Sequence, residues 1–222
     1  MYDKPTIDLS IHYLCNRKPK YYKNMENLKT ISQCLTADLT QDRVALHETG
    51  HVITMYALGM MDHFAYVTKK AGDGTLGLTE VTDDFKADMQ KFAGEITTAA
   101  SNLHLGKDFT HIVQLSRLES ARNYLPNICR LFGGGAICRY YNLPDEAMCS
   151  IDYSLIDTLL SGLGMVGKRE ILLPLVDMYL NTVFVSLDLL TKAIYVNLIE
   201  QGTLNKDQVM QIIKDWEEYK LI

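Results

Sequence analysis

The segment His47-Glu48-Thr49-Gly50-His51 is the densest grouping of chemically capable side chains in the sequence. Two histidines four residues apart lie on one face of an α-helix, with Cβ atoms about 5–6 Å apart, so both imidazoles can reach one divalent ion. Glu48, next to the first of them, is within reach of a water on that ion, where a carboxylate serves as general base. From the composition, an HExxH string arises by chance in this chain with a probability on the order of 1%. The chemistry expected is hydrolysis by a Zn²⁺-activated water, with the ion on His47 and His51 and with Glu48 as proton acceptor.

A catalytic zinc usually takes three protein ligands and keeps one position open. The extended motif with a third histidine does not apply, because Thr54 and Ala57 stand where its glycine and histidine would be. The acids left as candidates are Glu80 (with Asp84 nearby), Asp145, Glu146, Asp152 and Asp157, and spacing does not choose among them. Glu80 falls at the end of an expected strand. His12, His63, His104 and His111 lie in no ligand-like spacing.

The elements that must position these groups follow from periodicity. A helix begins near Asp38 or Thr40, with Asp38 and Gln41 in capping-box form. Val44, His47, His51, Met55 and Leu58 carry its three- and four-residue rhythm, and Gly59 is its stop. Phe64–Thr68 and Thr75–Val81 read as a short hairpin around Gly72 and Gly74, which must lie against helices because an isolated ribbon is marginal. From Thr82, Phe85, Met89, Phe92, Ile96, Ala99 and Leu103 form a helical core stripe ending at Gly106. Pro126 opens another helix at its first position. That helix meets Gly133-Gly134-Gly135, which is either a break or a smooth face for close helix packing. In the second case it can pack closely on the HExxH helix. A long, buried apolar helix covers roughly 171–200, and Asn205 with Gln208 caps a last helix through Val209, Ile212, Ile213 and Trp216. The architecture expected is mainly α (α+β), with a small hairpin beside the HExxH helix. Residues 1–37 form an N-terminal extension, whose Arg17, Lys18, Lys20 and Lys23 read as a solvated loop, and 38–222 form one domain.

Composition narrows the function classes. The 222 residues are 47% hydrophobic and 22% charged, with a net charge of −5, a pI of 5.7 and a mean hydropathy of −0.04. An acidic balance argues against nucleic acid or anionic membrane as partner. Cys15, Cys34, Cys129, Cys138 and Cys149 show no paired spacing and fit a reducing cytoplasm better than a disulfide framework. The first residues lack the basic and apolar regions of a signal peptide. Asp177, Asp188 and Lys192 interrupt the apolar stretch, which argues against a membrane span.

Arg43-Val44-Ala45-Leu46-His47-Glu48-Thr49-Gly50-His51 resembles the start of the protease domain of FtsH, the M41 family of ATP-dependent zinc metalloproteases, whose members carry HEAGH there. Ala65-Tyr66-Val67-Thr68 and Thr75-Leu76-Gly77-Leu78-Thr79 resemble the family's strand pair, I-x-P-R-G followed by A-L-G-x-T. Leu131-Phe132-Gly133-Gly134-Gly135-Ala136 is similar to L-L-G-G-R-A-A-E-E. Leu198-Ile199-Glu200-Gln201-Gly202-Thr203-Leu204 resembles the junction L-L-E-K-E-T-L. A gap-free count places Asp152 on the aspartate of T-G-A-x-x-D-L, so the resemblance implies Asp152 as third zinc ligand. The ordered similarity covers about 38–216.

The chain departs from the family at several points, among them Met148-Cys149-Ser150-Ile151 before Asp152 in place of the family's small glycine-rich turn. No G-x-x-x-x-G-K-[ST] phosphate loop occurs. The interval from His51 to Asp152 is longer, with additional sequence around 83–118. Cys138 and Arg139 replace the acids after the glycine run, one of which supports the metal site in the family. The resemblance implies a zinc endopeptidase without its own unfoldase, acting on unfolded or flexible protein segments held along the strand at Thr75–Val81, with a homo-oligomer compatible. The competing expectation is a non-enzymatic adaptor or regulatory protein of the same fold, with a structural or vestigial zinc.

Overall fold

In the computed structural model, which describes residues 39–70, 77–91, 110–143, 149–162 and 165–220, the HExxH segment lies in helix α1 (Leu39–Ala57). Every residue from Val44 to Met55 is buried, polar ones included, so this helix is a central element. Ala45, Leu46, Val52, Ile53 and Met55 are fully buried. Two of its buried hydroxyls are satisfied within the helix: those of Thr49 and Thr54 donate to the carbonyls of Ala45 and Gly50, both at 2.7 Å. Gly59 ends it at φ +68°, the left-handed conformation that favours glycine.

A short 3₁₀ turn (Met61–His63) leads into β1 (Phe64–Thr68), which pairs antiparallel with β2 (Leu78–Val81), the expected hairpin. The register shifts between Phe64 and Tyr66. Residues 83–91 are helical, and Phe85 and Met89 pack against the core as expected; the rest of that stripe, and its end at Gly106, fall outside the described residues. So do residues 1–37, the Asp38 cap, Asp145 and Glu146.

Helix α2 (Thr110–Tyr140) runs unbroken through Gly133-Gly134-Gly135. The glycine run is thus a packing face. A Cβ on Gly133 would lie 2.7 Å from the Gly50 carbonyl oxygen, and one on Gly50 would lie 2.6 Å from Ile137 Cγ2. The two helices therefore touch backbone to backbone. Pro126 does not open a helix but lies inside α2. It removes one backbone hydrogen bond, a cost that burial of Tyr124, Ile128, Leu131 and Phe132 around it outweighs.

Helix α3 (Ser150–Gly162) is followed by α4 (Arg169–Ser186) and α5 (Asp188–Gln201). The single helix expected over 171–200 is corrected here: α4 and α5 meet at an 85° bend. Leu187, at φ −112° and ψ 21°, ends one helix and begins the other, with Asp188 in the next first turn, where an acid favours a helix start. The two halves also differ in burial. α5 buries Leu190, Ile194, Tyr195 and Leu198, whereas α4 leaves Ile171, Leu175, Met178 and Val185 more than half exposed. Among the described residues no single helix is long and apolar enough to cross a membrane.

Strand β3 (Thr203–Asn205) then joins the far edge of β1, giving the sheet order β2-β1-β3. This strand was not expected, since three residues are too few for an alternating pattern to register. The last helix, α6 (Lys206–Lys220), buries Val209, Ile212, Ile213 and Trp216, the face expected. Its capping box is formed on both sides: Asn205 N–H donates to Gln208 Oε1 and Gln208 N–H to Asn205 Oδ1, each at 2.9 Å.

The α1–α2 contact sets the first expectation. Gly133→Ala gains about 1 kcal/mol of helix propensity, yet its Cβ has no room. We expect a net loss of about 1–3 kcal/mol, as for overpacked cores, read by chemical denaturation. A variant as stable as wild type would show that the helices are not held at backbone contact.

Candidate metal centre

His47 and His51 project from α1 towards α2 and α3, with their rings edge to face at a centroid separation of 4.7 Å. Both are buried. Their Nε2 atoms are 3.1 Å apart. From the first turn of α3, Asp152 brings Oδ2 to 3.0 Å from His47 Nε2 and 3.4 Å from His51 Nε2. Among the described residues, this is the candidate acid at the histidine pair; Asp145 and Glu146 lie outside them. Glu80 forms an ion pair with Lys86, and Asp157 pairs with Arg169 at 2.6 Å. His63 stacks on Phe85.

The second nitrogen of His51 has a defined partner. Nδ1–H donates to the Arg130 carbonyl at 2.8 Å. A carbonyl can only accept, so the neutral ring carries its proton on Nδ1 and presents a lone pair at Nε2. Behind His47, Nδ1 faces the sulfur of buried Cys149 at 4.0 Å. Ligand-capable atoms of His47, Cys149 and Asp152 all lie within 4.8 Å of one another.

The local electrostatics are those of a cation site. Burial pulls the His51 pKa down, but the Asp152 carboxylate outweighs this and the net shift is upward. For Asp152, burial pushes the pKa up, and the two imidazoles outweigh it and hold the carboxyl well below the usual carboxylate range. With both Nε2 atoms unprotonated, the three donor atoms would repel one another, and a divalent cation among them would relieve that repulsion. Two imidazole nitrogens and a carboxylate oxygen are also the donor types zinc takes. The residues present therefore fit the ion.

Glu48 is positioned by the sheet. Thr79 Oγ1 on β2 donates its one proton to Glu48 Oε2 at 2.7 Å, with the Glu48 backbone carbonyl a longer alternative acceptor at 3.2 Å. Gly77 closes the other side, since a Cβ there would lie 2.7 Å from Glu48 Oε1. Gly134 does the same for the histidines: its Cβ would lie 2.5 Å from Nε2 of His47 and 2.6 Å from Nε2 of His51. Among these, Gly77 and Thr79 lie in a stretch whose pattern indicated only a strand. The supporting contacts of Gly134, Cys149 and the Arg130 carbonyl follow from tertiary packing and leave no mark in spacing.

These groups share a cleft of about 510 Å³, with His47, Glu48, His51 and Asp152 on its floor and Gly77–Val81, Arg130 and Ile151 along its walls. Neither family models, nor curated proteins, nor solved structures match this chain. The likeness to the M41 family thus rests on the quoted motifs.

The donor set makes a metal-binding expectation. Purified protein should take up about one zinc per chain. His47→Ala, His51→Ala and Asp152→Asn should each lose most of it, because two remaining donors cannot hold the ion against solvent. Glu80→Gln should retain it. Metal analysis after dialysis decides, and full occupancy in Asp152→Asn would remove Asp152 from the set.

Proposed function

We propose that the protein is a zinc-dependent metallopeptidase of FtsH-like (M41) type that hydrolyses peptide bonds without an unfoldase of its own. The observation that carries this reading is the convergence of His47 Nε2, His51 Nε2 and Asp152 Oδ2 beside a Glu48 carboxylate that faces an open cleft. Zinc, when bound, supplies a Lewis acid and lowers the pKa of its water to about 7. The protein's own groups do the rest. Glu48 Oε1, the oxygen not engaged by Thr79, takes the water proton and returns it to the leaving amine. Thr79 fixes that carboxylate so that no reorientation is needed at the moment of transfer.

Among the described residues strand β2 lies at the edge of the sheet, with β1 on one side and cleft-lining residues along it. An extended peptide added there gains main-chain hydrogen bonds, the β-augmentation mode of recognition. Such binding requires a segment without structure of its own, so unfolded or flexible protein regions are the substrates proposed. The unpaired spacing of the cysteines supports a reducing, cytoplasmic setting.

A second reading, a non-catalytic zinc protein with an adaptor or regulatory role, draws on Cys149, which adds a thiol to the donor cluster. Closed zinc sites use four protein donors, and thiolate is common among them.

Glu48→Gln separates the two. It preserves shape and leaves the donors in place, so zinc stays bound while cleavage of an unfolded protein substrate should fall about 10²–10⁴-fold. Thr79→Val removes only the orienting hydroxyl and should lower kcat roughly 10-fold. A Glu48→Gln protein that cleaves like wild type would end the peptidase reading.

A further inference from the structure

Arg130 is the residue of the cleft that the proposed chemistry does not use. It stands one helical turn before Gly134 on α2, so both share the face turned to the metal-binding histidines. Its carbonyl serves His51, which leaves the role of its side chain open. The residue is only 9% exposed. Nε–H donates to Asn127 Oδ1 at 2.8 Å, which braces the plane of the guanidinium. Among the described residues nothing accepts a hydrogen bond from its two terminal nitrogens, and no carboxylate comes within ion-pair distance of them. Those nitrogens are not sealed in protein either, so they keep access to the cleft that Arg130 lines.

The acids nearest the guanidinium have closer partners. Glu80 pairs with Lys86, Asp152 faces the imidazoles, and Glu48 accepts from Thr79. Burial pulls the Arg130 pKa down, and Asp152, Glu48 and Glu80 offset that only in part. A nearly buried cation with an unengaged planar fork is costly unless a ligand supplies the missing anion. The fork matches a carboxylate, which it can bind through two parallel N–H···O bonds. A divalent ion on the cleft floor would make the same space still more favourable for a second anion.

We propose that Arg130 is the subsite residue that reads a carboxylate on the bound peptide, making the cleft selective for chains with an acidic side chain or a free C-terminus close to the scissile bond. The proposal rests on the peptidase reading for the identity of the ligand, and on Arg130 alone for its charge.

The test uses the full chain with Glu48→Gln, loaded with zinc, so that binding is read without turnover. Fluorescence anisotropy gives Kd for an N-acetylated, C-amidated peptide with one glutamate, for the same peptide with glutamine in its place, and for the glutamine peptide with a free C-terminal carboxylate. One of the two carboxylate peptides should bind roughly 10- to 100-fold more tightly than the peptide with none, and which one does identifies the source of the anion. Adding Arg130→Gln should abolish the preference. Adding Arg130→Lys, which keeps charge but not the fork, should retain part of it and serves if the glutamine variant does not fold. Equal affinity for the three peptides, or a preference that survives Arg130→Gln, overturns the proposal. The two readings fail separately. Wild type that cleaves all three peptides alike keeps the peptidase and loses the carboxylate subsite. An Arg130-dependent preference in a protein that cleaves none keeps the subsite and loses the peptidase.

Discussion

Everything at the candidate centre depends on how closely α2 lies against α1. Helices that interleave ordinary side chains keep their axes 8–10 Å apart, whereas here Gly50 and Gly133 meet with no side chain between them. One residue further along, the imidazole edges of His47 and His51 occupy the space that a Cβ of Gly134 would fill. The same proximity lets the Arg130 carbonyl accept from His51 Nδ1 while it remains part of the helix, since a carbonyl oxygen has two lone pairs. The tautomer that frees His51 Nε2 is therefore a consequence of helix packing. A wider spacing would cost the site both its geometry and its protonation pattern.

The third donor depends on a different fastening. Asp152 reaches the histidines because α3 is held across the end of α2, and Arg139 does much of the holding. Its guanidinium makes two bonds to Asp177 on α4, at 2.6 and 2.8 Å, and one to the hydroxyl of Tyr153 at 2.9 Å. Tyr153 is the next residue after Asp152, so the clamp acts directly on the segment that carries the carboxylate. Family resemblance places an acid where Arg139 stands. In this chain that position ties three helices together, and the space behind His47 is taken by the Cys149 sulfur. A thiol is a weaker hydrogen-bond partner than a carboxylate, so His47 is held more by packing and by Asp152 than by its outer nitrogen.

The parts of this structure legible in the sequence are those fixed by local periodicity or by a short motif. The HExxH helix, the β1–β2 hairpin and the last helix with its Asn205–Gln208 cap all have strong local signals. The glycine run was ambiguous because the same three residues break an exposed helix and smooth a buried one, and only the partner helix decides. Pro126 misled for a similar reason, since the preference of proline for a first turn is local and the packing that carries α2 past it is not. The bend at Leu187 is hidden because apolar residues continue through it, and burial changes from α4 to α5 without a change in composition. Asp152 was indicated by counting along a family pattern. Glu80, Asp145, Glu146 and Asp157 were equal to it by spacing alone.

Whether the centre is open or closed turns on the two edges of the His47 ring. Nε2 points to the place where His51 Nε2 and Asp152 Oδ2 meet, and Nδ1, on the other side of the ring, is the atom that Cys149 approaches. The sulfur therefore stands on the opposite edge of the His47 ring from the His51 and Asp152 contacts. Glu48 stands on the cleft side with its outer oxygen beside Gly77. It is almost fully buried, and a carboxylate kept there is costly unless it is bonded or used. Thr79 satisfies one oxygen only. The oxygen left over lies next to three converging donor atoms in a shared cleft, and it is the group that the proposed peptidase reading would use as its proton acceptor.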